Sequence, residues 1–198
     1  MKYNVGRLFV NPFEDCSEKI LLAAGVIFFT VGGILAYYGQ FDYHGILKVI
    51  PTNTYDLFST FTHLLVNVLV LTLSLFSFGY SVNKKTRFID VLNVVLIYFV
   101  VIYMIGLLSA VSFAKELTNN ILKAIEDGDM KLSTISRSDM FLLLFFSLIS
   151  LVLLLYFFYL IVVGLKFVIN AKKFHHGVVI VLIVLVADVL CRFVNVKL

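Results

Sequence analysis

Charge is what this sequence withholds. Residues 20–38, 57–80, 91–114 and 140–165 contain no Asp, Glu, Lys or Arg. Only 14% of the 198 residues are charged, 61% are hydrophobic, and the mean hydropathy is +1.03. That leaves too little polar surface to clothe a soluble domain of this length. Cysteine is scarce as well. Cys16 and Cys191 are the only two, and five spans put them on opposite sides of a bilayer, which excludes an internal disulfide. HExxH, CxxC, GxxxxGK and GxSxG are all missing, so the usual metal, nucleotide and nucleophile signatures give no support to an enzyme or a cofactor. Neither an internal repeat nor a low-complexity tract occurs.

What is present is length. A hydrocarbon layer of ~30 Å takes about 20 helical residues to cross, and each uncharged run suffices. Residues 177–196 form a fifth run, interrupted only by Asp188 and Arg192. Barrel strands alternate in polarity, whereas "FLLLFFSLISLVLLLYFFYLIVVG" is apolar on every face, so these are helices. The expectation is an all-α polytopic membrane protein: one domain over 1–198, with spans at about 20–38, 57–80, 88–114, 140–165 and 177–196. Nothing at the amino terminus reads as cleavable, because the first run follows acidic residues and is as long as a full span.

Five spans fix relative sidedness. The amino terminus, the 81–87 link and the 166–176 link share one side, with nine of the 16 cations. Within those links, Lys84, Lys85 and Arg87, and Lys166, Lys172 and Lys173, crowd short loops, where the positive-inside rule has most force. The amino terminus is therefore expected in the cytoplasm and the carboxyl terminus outside. A net charge of +4 suits anionic lipid headgroups and implies no nucleic acid. Residues 115–139 are the largest polar segment. There Leu117, Ile121, Leu122 and Ile125 recur at helical spacing, so the third span is expected to run on as an amphipathic helix towards Gly128. Before the first span, Asn11, Pro12 and Glu14, or Asp15 with Glu18, read as helix-start signals.

Polar groups inside spans are costly, so each asks for a reason. Thr60, His63, Asn67, Ser74, Ser77 and Ser81 fall near one face of the second span. That face reads either as a substrate pathway or as hydrogen-bonding glue between helices. Gly25, Gly32 and Ala36 mark a close-approach face on the first span. Asp188 and Arg192, four apart, can neutralise each other. His63 and Asp188 are expected at about 9 and 12 Å below the same interface, facing one polar interior. Their meeting would make a pH-sensitive contact; alternatively Arg192 takes the carboxylate and His63 bonds Asn67 or a backbone carbonyl. At the other membrane face, Asp90 reads as a helix-start charge within reach of Lys166. His63, Asn67, Asp188 and Arg192 are thus the candidate intramembrane polar site. Lys84, Lys85, Arg87, Asp90, Lys166, Lys172 and Lys173 are the candidate cytoplasmic interface.

The order of these features resembles the bacterial branch of the Yip family, the Ypt/Rab-interacting membrane proteins. The carriers are "NPFEDCSEKILLAAG" entering the first span, "FDYHGIL" after it, "NKKTRFIDVLN" entering the third, and "GLKFVINAKKFHHGVVIVLIVLVADVL" across the last two. The resemblance implies five spans, a cytoplasmic amino terminus and a short carboxyl tail. The chain departs from many relatives in reading "IYFVVIYMIG" where they often have a mid-span proline. It also departs from eukaryotic members in having no long polar amino-terminal region, the region that helps connect them to vesicle trafficking. Two functions then stand against each other. One is a non-enzymatic scaffold or adaptor working through lipids, a membrane-protein partner or a second copy of itself. The other is a small transporter, channel or lipid-handling protein using the polar face of the second span.

Overall fold

The computed structural model describes residues 12, 13, 16–52, 56–111, 121, 123, 136–171 and 173–195. Five helices dominate: α1 Glu18–Gly39, α2 Leu57–Val82, α3 Phe88–Ala110, α4 Arg137–Val168 and α5 His175–Asn195. All are long and apolar enough to cross a membrane, and the shortest, at 21 residues, measures about 32 Å. This is a five-helix membrane protein. Between α1 and α2 lies a two-stranded hairpin, β1 Phe41–Tyr43 paired antiparallel with β2 Val49–Pro51.

Local chemistry sets the boundaries. α1 begins after Ser17, while Pro12 and Phe13 form a separate turn upstream. The helix start expected at Asn11–Pro12 is therefore displaced to Ser17; Asn11, Glu14 and Asp15 lie outside the described residues. Gln40 ends α1 in the left-handed region, φ 57°, its N–H returning to the carbonyls of Ala36 and Tyr37. That cap turns the chain straight into β1. Asp56 starts α2, its carboxylate accepting from the N–H groups of Phe58 and Ser59 at 3.1 and 3.2 Å. Ser136 caps α4 through the Asp139 N–H. Asn170, φ 52°, closes the other end, with Ala171 N–H reaching the Lys166 carbonyl. α3 stops at Ala110, and of the 115–139 segment only residues 121, 123 and 136–139 are described. The amphipathic extension expected there falls largely outside them.

α3 is the axis of the bundle and the most buried of the five helices. It packs on α1 and α4 and less extensively on α2; α2 in turn packs on α5. Gly25 and Gly32 let α1 lie directly on α3. A Cβ at Gly25 would meet the Leu96 Cβ at 2.7 Å, and one at Gly32 would meet the Tyr103 ring at 2.6 Å. α4 is different. Its buried residues are Phe157, Leu160, Ile161, Gly164 and Leu165, all in the half nearest its carboxyl end. Its other half presents Phe141, Leu144, Leu148 and Leu151 outward.

The helix ends sort into two groups. Arg87 reaches Glu18, and Asn83 donates to the Ile169 carbonyl, so the starts of α1 and α3 meet the end of α4. At the opposite end the hairpin meets the carboxyl half of α5. Phe41, Tyr43 and Ile46 of that hairpin segment are fully buried. The connection is a plug in the mouth of the bundle.

Candidate functional site: a hairpin seated in the polar mouth

Burying a hairpin among membrane helices obliges every backbone polar group at its tip to find a partner. The buried polar side chains of α2 and α5 supply them. Asn67 donates to the carbonyls of Tyr43, at 2.9 Å, and Gly45, at 3.0 Å. Asn195 donates to the same Tyr43 carbonyl at 3.1 Å and to Asn67 Oδ1 at 3.0 Å. Asp188 Oδ1 accepts the Leu47 N–H at 2.8 Å, while its Oδ2 holds Arg192 at 2.5 Å. The fit leaves no room for a side chain at residue 45. A Cβ on Gly45 would stand 2.6 Å from Asp188 Oδ1 and 3.0 Å from Arg192 Cγ.

Asp42 completes the network. Its Oδ2 lies 2.6 Å from His63 Nδ1 and 3.7 Å from His44 Nε2, and its Oδ1 accepts the Tyr43 N–H at 2.8 Å. A carboxylate at Nδ1 makes that nitrogen the donor; Nε2 is buried and has no partner among the described residues. The Tyr43 hydroxyl donates to the Gly32 carbonyl at 3.4 Å. Burial, then Tyr103 and Asp42 nearby, pushes its pKa well above the ordinary phenol range, so it remains a donor. Burial also lowers the pKa of His44, against Asp42, which raises it, and with His63 and Lys48, which lower it further.

Comparison with protein-family models, with curated proteins and with solved structures finds no match to this chain. Its chemistry must be argued from its own geometry.

The sequence brings His63, Asn67, Asp188 and Arg192 to one end, and the structure buries the first three, at 5%, 0% and 3% exposure. The direct contact between His63 and Asp188 does not form. Asp188 is taken by Arg192 and the Leu47 N–H, and His63 by Asp42 rather than by Asn67 or a backbone carbonyl. Asp42, Tyr43 and Asn195 were missed. Asn195 was legible in principle, since it stands seven residues after Asp188 and hence on the same helical face. Asp42 sits on β1, a three-residue strand too short to show a period; the clue is the apolar company of Phe41, Tyr43 and Ile46.

The polar stripe of α2 is also shorter than its spacing implies. Thr60, His63 and Asn67 face inward, but Ser77 and Ser81 are exposed and Ser74 is half-buried. Those serines bond carbonyls three or four residues back on their own helix, which satisfies a hydroxyl without any neighbour. Among the described residues no group of three or more His, Cys, Asp or Glu is placed to hold a metal ion.

At the opposite end, Arg87 makes a fork on Asp90, at 3.0 and 2.7 Å, and also reaches Glu18. These hydrogen bonds, Asp90's first, raise its already high pKa. Asp90 therefore pairs with Arg87 three residues before it, correcting the expected approach of Lys166; among the described residues no ion pair includes Lys166. The i,i+3 partner needs no inter-helix reach, which decides the choice. Lys84 lies 4.3 Å from the centroid of the Tyr80 ring. Lys85 and Lys173 are exposed, Lys166 is half-buried, and Lys172 lies outside the described residues.

Proposed function

We propose that this chain is a non-enzymatic membrane scaffold or adaptor of the Yip type, seated in a bacterial inner membrane with its amino terminus in the cytoplasm. One observation carries the reading. The polar face of α2, which a transporter would need for its path, is filled by the chain's own hairpin. Asn67 donates to the Tyr43 and Gly45 carbonyls and Asp188 accepts the Leu47 N–H, so the amide and carboxylate that would line such a path are held by hairpin backbone. A solute path needs polar groups free to trade partners with the solute. The outward apolar half of α4 provides surface for lipid or for another membrane helix.

The test places one thiol one residue deeper than Asn67. In a Cys16→Ser, Cys191→Ser background, Val68→Cys is expected to resist a membrane-impermeant thiol reagent applied from either side. Photocrosslinkers at Leu144 and Leu148 on α4 are expected to give discrete adducts with a protein partner or a second copy. Labelling of residue 68 from either aqueous phase, with solute flux in proteoliposomes, would overturn the adaptor in favour of a transporter.

A further inference from the structure

At the end of the bundle away from the hairpin, the starts of α1 and α3 and the end of α4 enclose a pocket of about 260 Å³. Among its described lining residues are Cys16, Glu18, Asp90 and Asn93, with apolar walls from Leu21 and Phe167. Asn93 is 2% exposed. Its Nδ2 is directed to the Glu18 carbonyl at 3.4 Å, and its buried Oδ1 has no hydrogen-bond donor among the described residues. A buried carbonyl oxygen left without a donor is costly, and this one belongs to a residue of the pocket wall.

The charges narrow the class. Glu18 and Asp90 contribute two carboxylates, and the one guanidinium bonded to them, Arg87, balances only one. The remaining negative charge favours a cation, and the Asn93 oxygen favours a cation that carries hydrogens. Arg87 is 59% exposed beside the carboxylates, where an anionic group attached to that cation would meet it. The pocket lies at the level of the helix ends, where headgroups sit, and its apolar walls suit the start of an acyl chain.

We propose that this pocket binds the primary ammonium of a phospholipid headgroup, with the ammonium on Glu18, Asp90 and Asn93 Oδ1 and the phosphate towards Arg87. Ethanolamine phospholipid has this chemistry. Choline phospholipid carries the same charges but no N–H, so it offers Asn93 nothing. The site is separate from the hairpin-filled mouth and stands or falls independently of the adaptor reading.

Cys16 makes the pocket its own reporter, because it lines the cavity and is a free thiol, whereas Cys191 is buried. The full chain is placed in nanodiscs of fixed anionic lipid content, with ethanolamine, N-methylated ethanolamine or choline phospholipid as the remainder. Alkylation of Cys16 is followed by peptide mass spectrometry, and retained lipid by native mass spectrometry. Ethanolamine discs are expected to slow alkylation, and protection should fall as methyl groups replace hydrogens. Retention of choline lipid should be about tenfold weaker, the factor one hydrogen bond to a charged group is worth. Asn93→Leu should abolish the discrimination between headgroups. Glu18→Gln, at a carboxylate 42% exposed, should weaken retention of ethanolamine lipid. Equal Cys16 rates and equal retention across headgroups in the unmodified chain would overturn the proposal, as would discrimination that survives both substitutions. Free ethanolamine added to choline discs is the last arm. Protection equal to that of the lipid would overturn the lipid assignment and make the ligand a soluble amine; no protection supports the lipid.

Discussion

Asp42 is the residue on which the seating of the hairpin turns. It joins a β1 carboxylate to a histidine on α2, both largely buried, at 2.6 Å. Asp42→Ala leaves His63 with neither ring nitrogen bonded, and the expected loss is about 1–3 kcal/mol. His63→Ala should cost a similar amount, and the double substitution less than the sum. The coupling, about 1–3 kcal/mol, is read from unfolding of the four chains in detergent; strict additivity would show that the pair does not act as one. His44 gives the pH dependence. Its pKa is lowered below the ordinary 6.5 in the folded chain, chiefly by burial. Between that lowered value and 6.5 the unfolded chain binds more protons, so stability falls as pH drops through this window and is flat above it. The charged and titratable groups around it are Asp42, His63 and Lys48. Melting followed from about pH 8 to about pH 5 should show the loss, and His44→Asn should reduce it. An unchanged profile in that variant would assign the loss to another group.

Elements in this bundle meet where side chains are smallest. α1 carries Gly25, Gly32, Gly33 and Ala36 on buried positions, and its apolar bulk, Val26, Ile27 and Val31, points outward. In hydrocarbon no hydrophobic force drives helices together, so close approach and dispersion contacts must do so. Gly32→Ala would place a Cβ 2.6 Å from the Tyr103 ring. Tyr103 is itself buried, so it has little room to give, and the expected loss is about 1–3 kcal/mol. Val31→Ala, at an exposed position, is the control and should stay within about 0.5 kcal/mol in the same thermal assay. Equal effects at the two positions would mean that α1 does not rely on its glycine face. On α2, His63 and Asn67 bond the hairpin, whereas Ser74, Ser77 and Ser81 bond their own helix backbone.

Across the whole molecule, the connectivity puts the start of α1 and the 83–87 link at one end and the hairpin at the other. Under the proposed orientation the first of these ends faces the cytoplasm, because Lys84, Lys85 and Arg87 crowd a short link, where the positive-inside rule has most force. A reporter fused after Lys85 should signal from the cytoplasm, and one fused after Leu198 from outside. Cytoplasmic signals from both fusions would overturn the five-span orientation.

The five helices were legible because hydrocarbon imposes a length and forbids charge, and both are written in single residues. The close face of α1 was legible for the same reason, and so was the Asp188–Arg192 pair, which needs only four residues of helix. Three features were not: the partner of His63, the burial of Phe41 and Tyr43, and the true end of the inward polar stripe on α2. Each depends on a segment that leaves the regular helix. A three-residue strand is too short for a period to show, so Asp42 could be placed against His63 only once Gln40 had turned the chain and the glycine at position 45 had let it lie on α5. Sequence by itself determined the solvent and the number of helices, because those are sums over residues. Only the tertiary structure decided which buried polar group met which, because a hydrogen bond is set by the positions of two atoms and not by their distance along the chain.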